Sequence, residues 1–194
     1  VKAYYHARAA EYDDWWLQQG LHAGRHDARW QAERDEALSV IAALPPARTL
    51  DVACGTGFVT RHLPGEIVGL DQSDAMLSAA REQAPSATYL QGDGIELAFA
   101  DRSFERVFTS HFYGHLEEPE RLRFLDEARR VAPELVVFDA GLHAGEPRAE
   151  WQERILEDGS TWTVYKRFFR GSELAAELGG TVLYEGRWFV LASA

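Results

Sequence analysis

The chain has 194 residues, 46% of them hydrophobic, which predicts one domain with a substantial core and excludes a disordered chain. A formal net charge of −11 repels phosphate backbones and argues against nucleic acid as a partner. One cysteine, Cys54, excludes an intramolecular disulfide, and neither a bilayer-length apolar run nor a basic-then-apolar leader occurs, so no membrane partner and a cytoplasmic location are expected. The nearest approach to a basic patch, Arg121, Arg123, Arg129 and Arg130, is interleaved with Glu120, Asp126 and Glu127 and reads as a solvated helix face.

The first third reads as helical and aromatic, with Tyr4, Tyr5, Tyr12, Trp15 and Trp16 crowded into the first sixteen residues. A second helix is predicted from Asp27 to Ala43, stopping before Pro45-Pro46. Strands and helices then alternate: a strand over 49–53, a helix over 57–63, a strand over 67–71, and a helix capped by Ser73 or Asp74 that runs to Ala84. Strands follow over 88–91 and 106–110, then a helix over 118–131 and a strand over 135–139. This rhythm predicts an α/β fold: a Rossmann-like, doubly wound, mostly parallel sheet with helices on both faces.

The ending breaks the rhythm. Ser172 is placed to cap a short helix that Gly179-Gly180 terminates. Two apolar runs, 181–184 and 188–191, are separated only by Glu185-Gly186-Arg187. A parallel crossover needs a dozen or more residues, so the last strand is expected to be antiparallel. Residues 159–165 alternate as an extra strand does. The whole is read as one domain, with residues 1–46 as an N-terminal helical lid and 141–171 as a lid insertion. Its strand ends, at 51–57, Asp71, Gly92-Asp93, 110–115 and 139–141, should converge on one crevice.

The chemistry starts at Leu50-Asp51-Val52-Ala53-Cys54-Gly55-Thr56-Gly57. A strand that ends in a glycine turn lets backbone approach a ligand and aims N–H groups at it. The next strand ends at Asp71, where a carboxylate can accept from both hydroxyls of a ribose. Together they point to an adenosine-type cofactor. A dinucleotide fingerprint wants a third glycine where Thr60 stands, and no G-x-x-x-x-G-K-[ST] occurs.

From residue 4 to 191 the chain resembles the class I S-adenosylmethionine (SAM) dependent methyltransferases, particularly small bacterial ones. Asp51-Val52-Ala53-Cys54-Gly55-Thr56-Gly57 is similar to their first motif, D-x-x-x-G-x-G. Gly69-Leu70-Asp71-Gln72-Ser73 with Met76-Leu77 resembles the second-strand motif, and Gln91-Gly92-Asp93-Gly94 with Leu97-Ala98-Phe99 the acidic loop. The run 104–110 resembles the fourth strand, with Glu105 where Asp is usual. The resemblance implies a seven-stranded sheet with an antiparallel last strand. It also implies that Ala53, Cys54, Gly55, Thr56 and Gly57 cradle the methionine part of SAM and that Asp51 holds the ammonium indirectly. Asp71 would bind the ribose, and Gln72 and Met76 would flank the adenine. Asp93 and Gly94, with Gly92 in the same loop, would hydrogen-bond the base, and Ser110 and His111 would supply backbone. Tyr12 resembles a tyrosine that closes over SAM. Read without the family, Asp51 caps a turn, Met76 is core, and Cys54 packs without activation.

A hydroxyl or protonated amine acceptor needs a base, and His115, then Tyr113, are the candidates after the fourth strand. Packing alone also accounts for His115. His111 and His115, like His22 and His26, have the spacing of metal ligands on a helix, but neither pair has an obvious third ligand and no metal is expected. The strand-four end is not [DN]-P-P-[YF], and no Pro-Cys pair occurs, so a small-molecule acceptor is favoured over a nucleic-acid base. Trp151, Trp162, Tyr165, Phe168 and Phe169 are placed to wall the pocket, suiting a flat acceptor, a cationic amine over ring faces, or ordinary core packing. The rival functions are a SAM-binding sensor or scaffold that transfers no methyl, and an NAD-dependent oxidoreductase. The sequence leaves the acceptor and the oligomeric state open.

Overall fold

The computed structural model describes residues 2–24 and 28–194. Four parallel strands form the centre: β1 (Ala47–Val52), β2 (Gly65–Asp71), β4 (Arg106–Ser110) and β5 (Glu134–Ala140). With β3 (Thr88–Gln91), β8 (Thr181–Glu185) and β9 (Phe189–Ser193) they make a seven-stranded sheet in the order β3-β2-β1-β4-β5-β9-β8. β9 runs antiparallel to both β5 and β8, as the three-residue spacer requires. Strand order reverses between β1 and β4, which opens the crevice at their carboxyl ends.

The two faces follow from the two-residue side-chain period. Leu135 and Val137 of β5, with Val190 and Ala192 of β9, meet Phe124, Leu125 and Ala128 of α5 (Glu118–Val131) and Leu174 of α6 (Gly171–Leu178). Their neighbours Val136, Phe138, Phe189 and Leu191 face the other way, onto Trp16 and onto Trp30, Ala37 and Ile41 of α3 (Ala28–Ala42). α5 starts at a capping box of Glu117 and Glu120. Ser73 caps α4 (Asp74–Gln83) by accepting from the Met76 N–H.

Three expectations are corrected. The helix expected over 57–63 is one 3-10 turn, Thr60–His62: Gly57 is still left-handed at φ 80° and Pro64 stops the chain soon after. Ser172 lies inside α6; the cap position is Arg170, and Glu185 of β8 instead accepts from the Gly171 N–H at 2.8 Å. The N-terminal segment is helical as expected, in two short helices, α1 (Lys2–Arg8) and α2 (Asp14–Leu17), joined by a 3-10 turn. Arg121, expected in solvent, is buried against Glu177 at 3.2 Å. The start predicted for α3 at Asp27 lies outside the described residues. No helix of the described chain is long and apolar enough to cross a membrane.

The expected extra strand exists as β7 (Thr161–Arg167), paired antiparallel with β6 (Ala149–Ile155), which the sequence pattern did not show. β6 is inverted relative to an ordinary half-buried strand. Trp151 and Ile155 face solvent, 59% and 58% exposed, while Gln152 and Arg154 point at a cavity.

Candidate active site

The glycine turn after β1 uses three left-handed residues, Ala53 (φ 57°), Gly55 (φ 56°) and Gly57 (φ 80°). Ala53 pays a small steric cost there that glycine avoids. The turn is tied to Asp71, whose Oδ2 accepts from the Gly55 N–H at 3.0 Å and whose Oδ1 accepts from the Ser73 N–H at 2.9 Å. Burial raises the Asp71 pKa, and the Ser73 and Gly55 N–H groups oppose that rise.

A cavity of about 180 Å³ opens over these groups. Ala53, Gly55, Asp71, Gln72 and Met76 line one side, and Gly92, Asp93 and Gly94 the next. Ser110, His111 and His115 close the strand-four end, and Tyr12 lies across the top. A Cβ built on Gly55 would stand 3.5 Å from the Tyr12 ring, so the tyrosine rests on the turn itself. Thr56 Oγ1 donates to Asp13 Oδ1 at 2.5 Å, and Gln83 of α4 donates to the other oxygen of Asp13. Asp13 thereby pins Tyr12 over the cavity, a role that nothing in the sequence announced.

Asp51, Cys54 and Thr56 are not on that cavity. They border a small recess behind Ala53 and Ser110. Asp51 is buried; its Oδ2 accepts from Thr60 Oγ1 at 2.6 Å and its Oδ1 has no partner. Burial pushes its pKa up to about 7 against the Thr60 hydrogen bond. Cys54 packs with Leu77, Ala80 and Tyr89, and burial holds its thiol far above its ordinary pKa, so it is no thiolate. Gly57 leaves no room for a side chain beside α4, where a Cβ would come 3.1 Å from Ala80 Cα. Its role is packing.

The two candidate bases separate. Tyr113 is fully buried, and its hydroxyl donates to Glu177 Oε1 at 2.8 Å, on the α6 side of the sheet. Burial and then Glu177 raise its pKa, and it borders none of the cavities described here. Tyr113 is therefore corrected from candidate base to structural residue. His115 faces the crevice, with Nδ1 2.6 Å from the Tyr165 carbonyl oxygen. A carbonyl only accepts, so Nδ1 carries the proton and Nε2 keeps its lone pair. Burial and then Lys166 push the His115 pKa well below its ordinary value.

His111 offers its ring as well as its backbone. At φ 52° it swings out of β4 into a cage of Trp15, Trp16 and Phe138, with ring centroids 5.1, 5.3 and 5.4 Å away. Burial and Lys166 bring its pKa down to about 3, so it is neutral. Behind it, Asp139 at the end of β5 pairs with Lys166 of β7 at 2.6 Å and accepts from the Gly114 N–H at 2.7 Å. Burial works against the Asp139 charge, and Lys166 with the hydrogen bonds keeps its pKa low.

A second chamber of about 240 Å³ adjoins the first across Tyr5, Tyr12, His111 and His115. Arg8, Trp15, Arg154, Lys166 and Phe168 are among its walls. Of the aromatic residues expected there, Trp151 is exposed, Trp162 packs on Tyr4 at 6.0 Å, Tyr165 meets Trp151 edge to face, and Phe169 is core beside Tyr113. Only Phe168 of that group reaches the chamber. Among the described residues, no three His, Cys, Asp or Glu side chains gather around a point where a metal could sit. The His22–His26 pair lies partly outside the described residues.

This architecture is the Rossmann-like fold of the class I SAM-dependent methyltransferases, and the family described as "Methyltransferase domain" matches residues 50–134. The match and the antiparallel β9 weigh against the dinucleotide oxidoreductase. The chain is similar to the DhpI–SAH complex structure, with a TM-score of 0.73 and 26% identity over 98% of this chain and 92% of that one. The DhpI–SAM–HEP complex gives the same TM-score at 25% identity, covering 98% of this chain and 94% of that one. A demethylmenaquinone methyltransferase from Thermotoga maritima is 36% identical over 110 residues, 54% of this chain and 46% of that protein. One of the same name from Bacillus velezensis is 37% identical over 109 residues, 50% and 46% of the respective chains. The chain thus spans about half the length of the curated relatives it matches.

Proposed function

We propose that this chain transfers the methyl group of SAM to an oxygen, nitrogen or carbon atom of a small-molecule acceptor. The observation that carries the reading is the pair of chambers sharing one wall of Tyr5, Tyr12, His111 and His115. The cofactor lies in the first and the acceptor in the second. SAM and SAH are named in the DhpI complexes, and the residues of this chain fit such a ligand. The orphaned Asp51 Oδ1 calls for a donor, which the ammonium end supplies through the recess. The Asp71 carboxylate retains lone pairs for a ribose beside the Gly55 and Ser73 N–H groups. Gln72 and Met76 border the adenine position, with Gly92, Asp93 and Gly94 along its polar edge.

Bound SAM supplies a methyl group on a sulfonium sulfur, already activated for transfer. The protein orients the acceptor in line with it and excludes water. Tyr12, Tyr5 and Trp15 from residues 1–46 and the β6–β7 hairpin from 141–171 do the enclosing. His115 Nε2 takes the proton of an O–H or N–H acceptor as that atom forms its bond to carbon. Its low basicity suits an acceptor whose proton is already acidic.

Calorimetry with SAM, SAH and NAD tests the cofactor assignment, with SAM and SAH expected to bind and NAD not. Turnover on phenols, amines and carboxylates, read as SAH release, separates the enzyme from a SAM-binding scaffold. SAM binding without any SAH release across that panel favours the scaffold.

A further inference from the structure

We propose that the buried pair Lys166–Asp139 is a positioning device for His115. It seats β7 against the 113–115 turn, so that the Tyr165 carbonyl holds the ring proton on Nδ1 and leaves Nε2 unprotonated toward the acceptor. This deepens the methyl-transfer reading and rests on it.

One carboxylate joins β5, β7 and the 113–115 turn. Asp139 stands near the end of β5, where its Oδ1 accepts from Lys166 Nζ at 2.6 Å and from the Ala140 N–H at 2.8 Å. Its Oδ2 accepts from the Gly114 N–H at 2.7 Å. The residues beside those two donors make the second tie. Tyr165 precedes Lys166, His115 follows Gly114, and the Tyr165 carbonyl oxygen meets the His115 Nδ1 at 2.6 Å. The approach is close. A Cβ on Gly114 would stand 2.7 Å from the Arg167 carbonyl oxygen and 2.8 Å from Asp139 Oδ1, so only glycine lets β7 and the carboxylate reach the turn.

Stability alone does not account for this pair. The Lys166 and Asp139 side chains are 6% and 0% exposed. At that depth the loss of hydration of two charges offsets most of their attraction, and what the pair fixes is geometry. Among the described residues β7 pairs only with β6, outside the seven-stranded sheet. Arg167 holds β7 separately, to Glu177 of α6 at 2.7 Å. That second tie keeps the hairpin docked when Lys166 is neutralised. Removing the pair therefore loosens the Tyr165–His115 contact without undoing the fold.

The test compares the full chain with Asp139→Asn/Lys166→Met, a double change that leaves no lone buried charge and keeps an acceptor for the Gly114 N–H. Both proteins are saturated with SAH, and nitrogen NMR reads the histidine rings, with the His115 signals assigned through His115→Gln. The unsubstituted chain should show His115 neutral with its proton on Nδ1 alone, and the double variant a mixture of tautomers. SAH affinity should hold within threefold and the melting temperature within about 3 °C. With any phenol, amine or carboxylate that turns over, kcat should fall tenfold or more while KM changes less than threefold. Tyr113→Phe loosens the same turn from beneath and should leave the single tautomer in place. A proton on Nε2 in the unsubstituted chain, a single Nδ1 tautomer or an unchanged kcat in the double variant, or mixed tautomers in Tyr113→Phe overturns the proposal. So does a larger fall in melting temperature, which would make the pair structural. No SAH release by the unsubstituted chain across the three acceptor classes overturns the methyl-transfer reading and this inference with it.

Discussion

The two chambers are made of different material. The first is built from backbone turns and short side chains at strand ends, tied by local bonds such as Ser73 N–H to Asp71 and Ile95 N–H to Asp93, each two residues apart. The second is built from long aromatic and cationic side chains on elements far apart in the chain. The His115 ring on its wall reaches the Tyr165 carbonyl, 50 residues away. A rigid parallel sheet can hold the same nucleoside in many proteins, whereas peripheral segments decide what else enters.

Each side of that contrast can be broken separately. The largest effect belongs to the shared wall. His115→Ala should lower turnover about 1,000-fold while SAM affinity stays within about threefold, by single-turnover kinetics and calorimetry. A loss of SAM affinity of the same size would place His115 in the first chamber instead. Next comes Asp71→Ala, expected to weaken SAM about 100-fold, since a charged hydrogen-bond acceptor is lost, while circular dichroism keeps the native spectrum. Unchanged affinity would remove Asp71 from the ribose assignment.

Asp51 gives a smaller, pH-dependent effect. Its folded pKa of about 7 lies above the ordinary carboxylate value, so the stability it contributes is present at low pH and is lost as pH rises through 7. The unliganded chain should therefore melt at lower temperature at pH 8 than at pH 5.5, and Asp51→Asn should flatten that slope. SAM affinity should move the other way, rising roughly fivefold to tenfold from pH 6 to 7.5 as the carboxylate ionises, a trend absent in the asparagine variant. The smallest change is expected from Tyr113→Phe. Turnover should stay within about threefold, while urea unfolding shows a loss of about 1.5 kcal/mol from the bond to Glu177. A large fall in turnover would return Tyr113 to the chemistry.

Much of the first chamber was legible. The turn at 53–57, Asp71, the Gly92–Gly94 loop and the Ser73 cap each sit at a strand end or helix start that residue type and spacing express, even though the Gly55–Asp71 bond itself spans 16 residues. Cys54, Thr56 and Gly57 share that motif but lie off the main cavity, because φ values alternating into the left-handed region point successive groups in different directions. Of two candidates two residues apart, His115 ranks first and Tyr113 second by residue type, and the 3-10 turn at 113–115 sends Tyr113 under the sheet and His115 into the crevice.

The residues alone determined the order of strands and helices, the antiparallel ending and the adenosine-type pocket. Each of these depends on hydrophobic period, connection length or turn chemistry, and those are properties of neighbouring positions. Only the tertiary structure decided that β6 faces its arginine inward, that Asp13 pins Tyr12, that Asp139 meets Lys166 and that Glu185 caps α6. Those contacts join groups brought together by burial of the core, and an isolated charged side chain carries no mark of the partner that folding will place beside it.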